Sequence, residues 1–352
     1  MTDRATENRA YFAARAEGWH KMGSPLMSRI ARLMSERLSN ATQAGDAALN
    51  WPGPEEDAVL LRLTGGLHRL VLEGRAPGLA AAYADPDTSD DALWEAIDFA
   101  MRRFDHHLLT DLDSPPQTNE VRRSAVLIAA GHWLAARYDR PMILSELGAS
   151  AGLNTLWDRY ALKIGDQTFG PAKPALTLTP DWTGPLPPTT APRIIEREGV
   201  DRQPLDPKTD QLRILSYIWA DQHDRLQRTR TAARLAAKAK PKITQGDAVD
   251  WLELRLATHY PGWLHLVQHT IVAQYFSDEQ RGRMNQLFEA AGSQATRDAP
   301  LAHLAMENDQ TNPKHAAITL RLWPEGATVK LGTADFHGRW IDWAGIPPDA
   351  AL

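Results

Sequence analysis

The chain contains no cysteine, which excludes disulfides, thiolate metal sites and cysteine nucleophiles. It has no continuous apolar stretch of the roughly 20 residues that a membrane-spanning helix needs. Net charge is only −5 over 352 residues, too little of either sign to select a nucleic-acid backbone as partner. The opening residues, MTDRATENRAYFAARAEGW, are polar and charged and lack an apolar leader core. A cytoplasmic protein with neither membrane nor nucleic acid as partner is expected. What is present is 43% hydrophobic and 24% charged residues, a globular composition long enough for one large or two ordinary domains.

Two textures divide the chain. Up to Tyr138 apolar residues recur at three- and four-residue steps. Leu26, Ile30, Leu33, Met34 and Leu38 do so after a Ser24-Pro25 start signal, and Leu60, Leu63, Leu67, Leu70 and Val71 repeat the pattern. Leu93, Ile97, Met101 and Phe104 come next, then Val121 to Tyr138. Residues 1–138 are therefore expected to form an all-helical domain, a cap on the C-terminal part of the chain. Residues 139–352 alternate strand-like and helical runs, which predicts a doubly wound, mostly parallel α/β sheet. Expected strands are Met142–Leu147, Arg193–Val200, Lys242–Gln245, Trp263–His269, Leu301–Met306, Ala316–Leu322 and Thr328–Leu331. The last two, separated by Trp323-Pro324-Glu325-Gly326-Ala327, read as an antiparallel hairpin at the sheet edge. Expected helices are Leu153–Leu162, Asp210–Ala239, Ala248–Thr258 and Asp278–Ala291. Residues 161–192, rich in Pro, Gly and Thr, read as an insertion holding a small strand pair or ordered loop.

The segment PMILSELGASAGLN, Pro141 to Asn154, carries the most information. An apolar strand ends at Glu146, and Gly148-Ala149-Ser150-Ala151-Gly152 then strips bulk from a turn that opens a helix. Three readings compete: a packing junction, a Gly-rich cradle that brings a ligand to backbone N–H groups, and a G-x-S-x-G nucleophile elbow. The elbow needs several strands and an oxyanion loop before it, yet helices precede it. It also needs an acid and a histidine, for which Asp309 or Asp335 with His337 would serve. Glu146 needs a cationic or hydrogen-bonding partner if it is buried.

Strand, acid, Gly-rich turn, helix and five further strands ending in a hairpin resemble class I S-adenosylmethionine-dependent methyltransferases. Glu146 to Gly152 looks like that family's E/D-x-G-x-G-x-G turn, with Ser150 in the middle glycine position. Gly199-Val200-Asp201-Arg202-Gln203-Pro204 resembles the end of its second strand, and Gln245-Gly246-Asp247-Ala248 the end of its third. The likeness implies a Rossmann-like sheet and S-adenosylmethionine as cofactor. It implies contacts from Glu146, Gly148, Ser150, Gly152 and Asn154, with Asp201 at the ribose and Asp247 at the adenine. It places His269 and Tyr275, after the fourth strand, beside the reacting methyl group as catalytic candidates, and a small molecule as acceptor. Over nearly its full length the chain also resembles an uncharacterised bacterial family, domain of unknown function 2332. That likeness rests on SELGASAGLN, the G-x-D-x-x-P-x-D run from Gly199 to Asp206, and HGRW from His337 to Trp340.

The residues have plainer readings too. Asp201 and Asp247 beside glycines are ordinary turn formers. His265 and His269, four apart on a strand, point the same way but stand too far apart for one metal. His106-His107, among Asp105, Asp111 and Asp113, reads as a polar helix end. No metal site is expected. Most of the 12 tryptophans are expected in packing.

Overall fold

Short stretches without helical period build the main sheet. The computed structural model describes residues 3–117 and 119–350. In chain order its strands are β1 (Met142–Leu147), β2 (Ala161–Ile164), β3 (Gln167–Phe169), β4 (Thr177–Leu178), β5 (Asp181–Thr183), β6 (Ile194–Asp201), β7 (Lys242–Gln245), β8 (Leu264–Thr270), β9 (Leu301–Asn308), β10 (Ala316–Trp323), β11 (Ala327–Ala334) and β12 (Trp340–Trp343). Nine strands form one sheet, ordered β5-β12-β11-β10-β9-β8-β1-β6-β7, and β3-β2-β4 form a second.

From β7 through β6, β1 and β8 to β9 every pairing is parallel. The run β9-β10-β11-β12 is antiparallel, and β5 joins β12 in parallel. Every residue of β1 is buried, as befits a central parallel strand covered on both faces. After β1 the chain steps outward to β6 and β7, then returns across β1 to lay down β8 and β9. In open α/β sheets such a reversal is the place where ligand crevices form, at the carboxyl ends of the strands.

All the expected strands are present, but four expectations are corrected. The β10-β11 hairpin is not the edge of the sheet, because β12 and β5 continue beyond it. The glycine turn does not open an α-helix over Leu153–Leu162. A 3-10 turn, Asn154–Arg159, is succeeded at once by β2, and Tyr160 Oη donates to Leu153 O at 2.7 Å, closing the segment on itself. Asp210–Ala239 is two helices, Gln211–Ser216 and His223–Ala239. Between them Asp221 turns its carboxylate to Ser24 Oγ and to the backbone N–H of Leu26, a capping role that an unbroken helix would not allow. The 161–192 insertion holds more than a strand pair, since β5 leaves it to join the main sheet.

The chain divides into two compact units, Met1–Thr118 with Thr209–Arg230, and Asn119–Lys208 with Thr231–Leu352. Described helices of the first include Arg4–Lys21, Pro25–Arg37, Val59–Leu72 and Asp90–Arg103 around a Leu-, Ile- and Met-rich core. In the second, the helix Ser124–Tyr138 is buried on every side from Ser124 to Ala135. Among the described residues no helix is long and apolar enough to cross a membrane.

Candidate site at the carboxyl ends of the strands

Because the central strands are parallel, Glu146, Asp201, His269 and Glu307 all come to one edge of the sheet. Strand alternation then sorts them. Glu146 lies in register with Gly199 and Gln268, so Glu146, Asp201 and Gln268 share one face. Val267 lies in register with His303 and with Ser145, so His269, His303 and Glu307 share the other. The acid and the histidine that the sequence assigns to one site therefore belong to opposite faces of one edge.

On the first face, Gln268 Nε2 donates to Glu146 Oε2 at 3.1 Å, and Gln268 Oε1 accepts from Trp157 Nε1 at 3.0 Å. Asn154 accepts from Ser124 Oγ at 2.8 Å through its side-chain oxygen. Glu146 is 2% exposed. Burial pushes its pKa up to about 8, the Gln268 hydrogen bond opposes this, and the charge of Asp201 adds to it. A neutral carboxyl results at pH 7.

The turn itself is wound in the left-handed region, with Gly148 at φ +68°, Ser150 at +53° and Gly152 at +72°. Asp201 Oδ2 accepts from Ser150 N at 2.8 Å and Oδ1 from Gln203 N at 2.9 Å. Leu205 N donates to Ser150 O, and Leu153 N to Asn119 Oδ1. A Cβ on Gly152 would meet Pro241 at 2.8 Å and Ile243 at 3.0 Å, so that glycine serves close packing onto β7. The face of Gly148 is taken by the Val272 side chain. Ser150 Oγ is buried and has no hydrogen-bond partner among the described residues.

Asp247 caps the helix Ala248–Leu256, accepting from Val249 N at 2.8 Å and Asp250 N at 3.3 Å. Its other oxygen accepts from Gln280 Nε2 at 2.8 Å and faces Arg202 at 3.5 Å. Burial works to raise its pKa, but the cap hydrogen bonds and Arg202 outweigh that and hold it below the ordinary value.

On the second face His269 is 2% exposed, with Nδ1 2.6 Å from Glu307 Oε1 and Nε2 2.8 Å from His303 Nε2. His303 stacks on Phe288 at 4.0 Å. Burial, then the neighbouring His269 and Arg321, drive its pKa well below the usual histidine value. With both rings neutral, His269 Nδ1–H donates to Glu307 and His303 Nε2–H donates to His269 Nε2. Both His269 nitrogens are thus engaged by the protein. Tyr275 is 71% exposed in the loop after β8. His265 bonds Ser145 Oγ at 2.9 Å, further back along the strand. In the helical unit, Asp105 accepts from Gln43 N and Ala44 N. Among the described residues no cluster of three or more His, Asp or Glu side chains is spaced to hold a metal ion.

Gln268, His303, Glu307 and Val272 were not singled out by the sequence. Strand parity carried a signal for Glu307 and His303, which sit two residues either side of Ala305, the register partner of His269.

Acids thus stand at the ends of β1 and β6, a third just after β7, and a buried hydroxyl lies in the turn. In the conformation described Val272 covers Gly148, and both Asp201 oxygens meet backbone N–H groups. The sequence profile of domain of unknown function 2332, described as an uncharacterized protein conserved in bacteria, matches residues 9–343. Comparisons with curated proteins and with solved structures returned no match.

Proposed function

We propose, for a chain that belongs to the bacterial family of domain of unknown function 2332, that its α/β unit is an S-adenosylmethionine-dependent methyltransferase acting on a small-molecule acceptor. One observation carries this reading. The parallel order β7-β6-β1-β8-β9 reverses beside β1, and a left-handed Gly-Ala-Ser-Ala-Gly turn lies at the reversal with Glu146, Asp201 and Asp247 around it. Ligands of open α/β sheets bind at that crevice, and fold alone does not name the chemistry.

The cofactor would supply a methyl group already activated on a sulfonium. The chain's part is then alignment and exclusion of water. Asp201 and Asp247 are acceptors for ligand hydroxyl or amino groups, and the Ser150 hydroxyl is a polar atom awaiting a partner. Glu307 fixes the ring of His269, the arrangement that orients a histidine for proton transfer. His269 can accept an acceptor's proton only after exchanging its His303 contact.

Ser150 as a hydrolytic nucleophile has its left-handed φ in its favour, but it lacks a base. Among the described residues no histidine, His337 included, bonds its hydroxyl, and the rings of His265 and His269 bond Ser145, Glu307 and His303.

Calorimetry with S-adenosylmethionine, S-adenosylhomocysteine, NAD and ATP tests the proposal. Saturable heat is expected for the first two only, weakened about tenfold in Asp247→Asn by loss of one charged hydrogen bond. No heat at high-micromolar S-adenosylhomocysteine, or equal heat with NAD, would sink it. Stoichiometric labelling of Ser150 by a fluorophosphonate would favour the hydrolase instead.

A further inference from the structure

One carboxylate ties down the start of the loop after β8. Glu307 Oε1 accepts from Val272 N at 2.9 Å, and Oε2 accepts from Ala273 N at 3.2 Å. Oε1 also faces His269 Nδ1 at 2.6 Å. Two successive backbone amides and one imidazole thus converge on a single side chain from the neighbouring strand.

The residue just before these amides is held in an unfavourable conformation. Ile271 has φ +53°, a region that a β-branched residue occupies at a cost of about 1–3 kcal/mol. Its N–H still continues the sheet by donating to Met306 O at 2.9 Å. The left-handed step lets the chain leave β8 abruptly and turn Val272 across the strand ends. There the Val272 side chain packs on Gly148, nearer than any Cβ at Gly148 would tolerate. Gly148 is the first residue of the turn at the switch point, so Val272 occupies the surface by which a ligand would approach that backbone.

The two ends of the loop differ. Arg281 donates to the carbonyl oxygens of Ala273 and Phe276, and Phe276 is buried. Ile271, Val272 and Ala273 are only partly buried. Release of Glu307 would therefore free Val272, while Ile271 N stays on Met306 O and Arg281 still holds the carbonyls of Ala273 and Phe276.

We infer that Val272 is a gate over the glycine turn and that Glu307 is its latch. The gate covers Gly148 while the Glu307 hydrogen bonds hold, and it moves aside when a ligand enters the crevice. Only the identity of the ligand rests on the methyltransferase reading; the latch stands on contacts within the chain.

Two measurements on the full-length protein test this. In Glu307→Gln the side chain keeps its volume but has one acceptor oxygen and no charge. Hydrogen exchange of the free variant is expected to be about tenfold faster at the Val272 and Ala273 amides, as loss of one charge-assisted hydrogen bond implies, with β1 amides unchanged. Unchanged exchange at 272–273 would overturn the latch without any ligand. In stopped-flow binding of S-adenosylhomocysteine, Val272→Ala is expected to associate several-fold faster than wild type, with dissociation little altered. Equal association rates would overturn the gate. If neither protein binds, the cofactor reading fails, while the exchange result still decides the latch.

Discussion

Gln268 donates to Glu146 across β8 and β1 at 3.1 Å, and the two residues stand in register as direct neighbours on the ladder. An amide, rather than a counter-ion, meets a carboxyl that is 2% exposed. One hydrogen bond from a neutral donor does not offset the loss of water around a charge. Glu146 is consequently a proton-carrying acid near neutral pH, at the very edge where the strands present their acids.

This gives a pH dependence with a defined sign. The folded pKa is raised from 4.5 to about 8, so between those values the folded state holds a proton that the unfolded state has lost. Stability contributed by this residue is greatest below the unfolded pKa and falls as pH rises through the window. Glu146→Gln removes the titration and keeps the volume. Urea titrations at pH 5 and pH 8 are expected to show the variant gaining on the order of 3 kcal/mol over wild type between the two. A constant difference would show that Glu146 is ionised when folded.

His265 acts at the other end of the scale. Burial first, then the charge of Arg255, lowers its pKa from 6.5 to about 3. Below 6.5 the unfolded chain gains a proton there that the folded chain refuses, so wild-type stability falls on acidification. His265→Gln, which can still meet Ser145, is expected to lose about 1 kcal/mol less than wild type between pH 7 and pH 5.5. Equal losses in both proteins would refute the assignment.

The order of elements was legible because short stretches of strand-like residues alternate with helices that keep a three-to-four apolar spacing. Met142–Leu147 and Lys242–Gln245 match the structure at both ends. The misread helix after the glycine turn has a tertiary cause. Leu153, Leu156, Trp157 and Tyr160 have helical spacing, but Trp157 lodges against Gly131 and reaches Gln268, contacts that no local pattern announces. Glu307 was invisible for a similar reason. Its partners, His269, Val272 and Ala273, lie 34 to 38 positions earlier in the chain. The two-faced arrangement of Glu146 and His269 required the register of β1 on β8, which sequence periodicity does not supply.

Gly131 tests the packing beneath the site. It lies within the helix Ser124–Tyr138, where alanine is favoured over glycine by about 1 kcal/mol. A Cβ there would strike the six-membered ring of Trp157, and forcing volume into a packed interior costs about 1–3 kcal/mol. Trp157 is fully buried and held by Gln268, so it has little room to yield. Overpacking should win, leaving Gly131→Ala about 1–2 kcal/mol less stable by urea unfolding. Adding Trp157→Phe, a smaller ring, should recover part of the loss. A Gly131→Ala protein as stable as wild type would show that the indole moves freely.

Ser150 carries two separable costs. Its φ of +53° suits glycine better than serine, and its buried hydroxyl has no hydrogen-bond partner among the described residues, a cost of about 1–3 kcal/mol. Ser150→Ala removes only the second cost, and Ser150→Gly removes both. Thermal unfolding is expected to rank Gly above Ala and Ala above wild type, with Ala gaining about 1 kcal/mol. A serine kept at such a position in the turn makes sense if its hydroxyl meets the ligand. Ser150→Ala should then bind S-adenosylhomocysteine about fivefold more weakly, as loss of one neutral hydrogen bond implies. Higher stability combined with weaker binding marks a residue retained for function at the expense of the fold. A loss of stability in Ser150→Ala would instead show that the hydroxyl is already satisfied in the free protein.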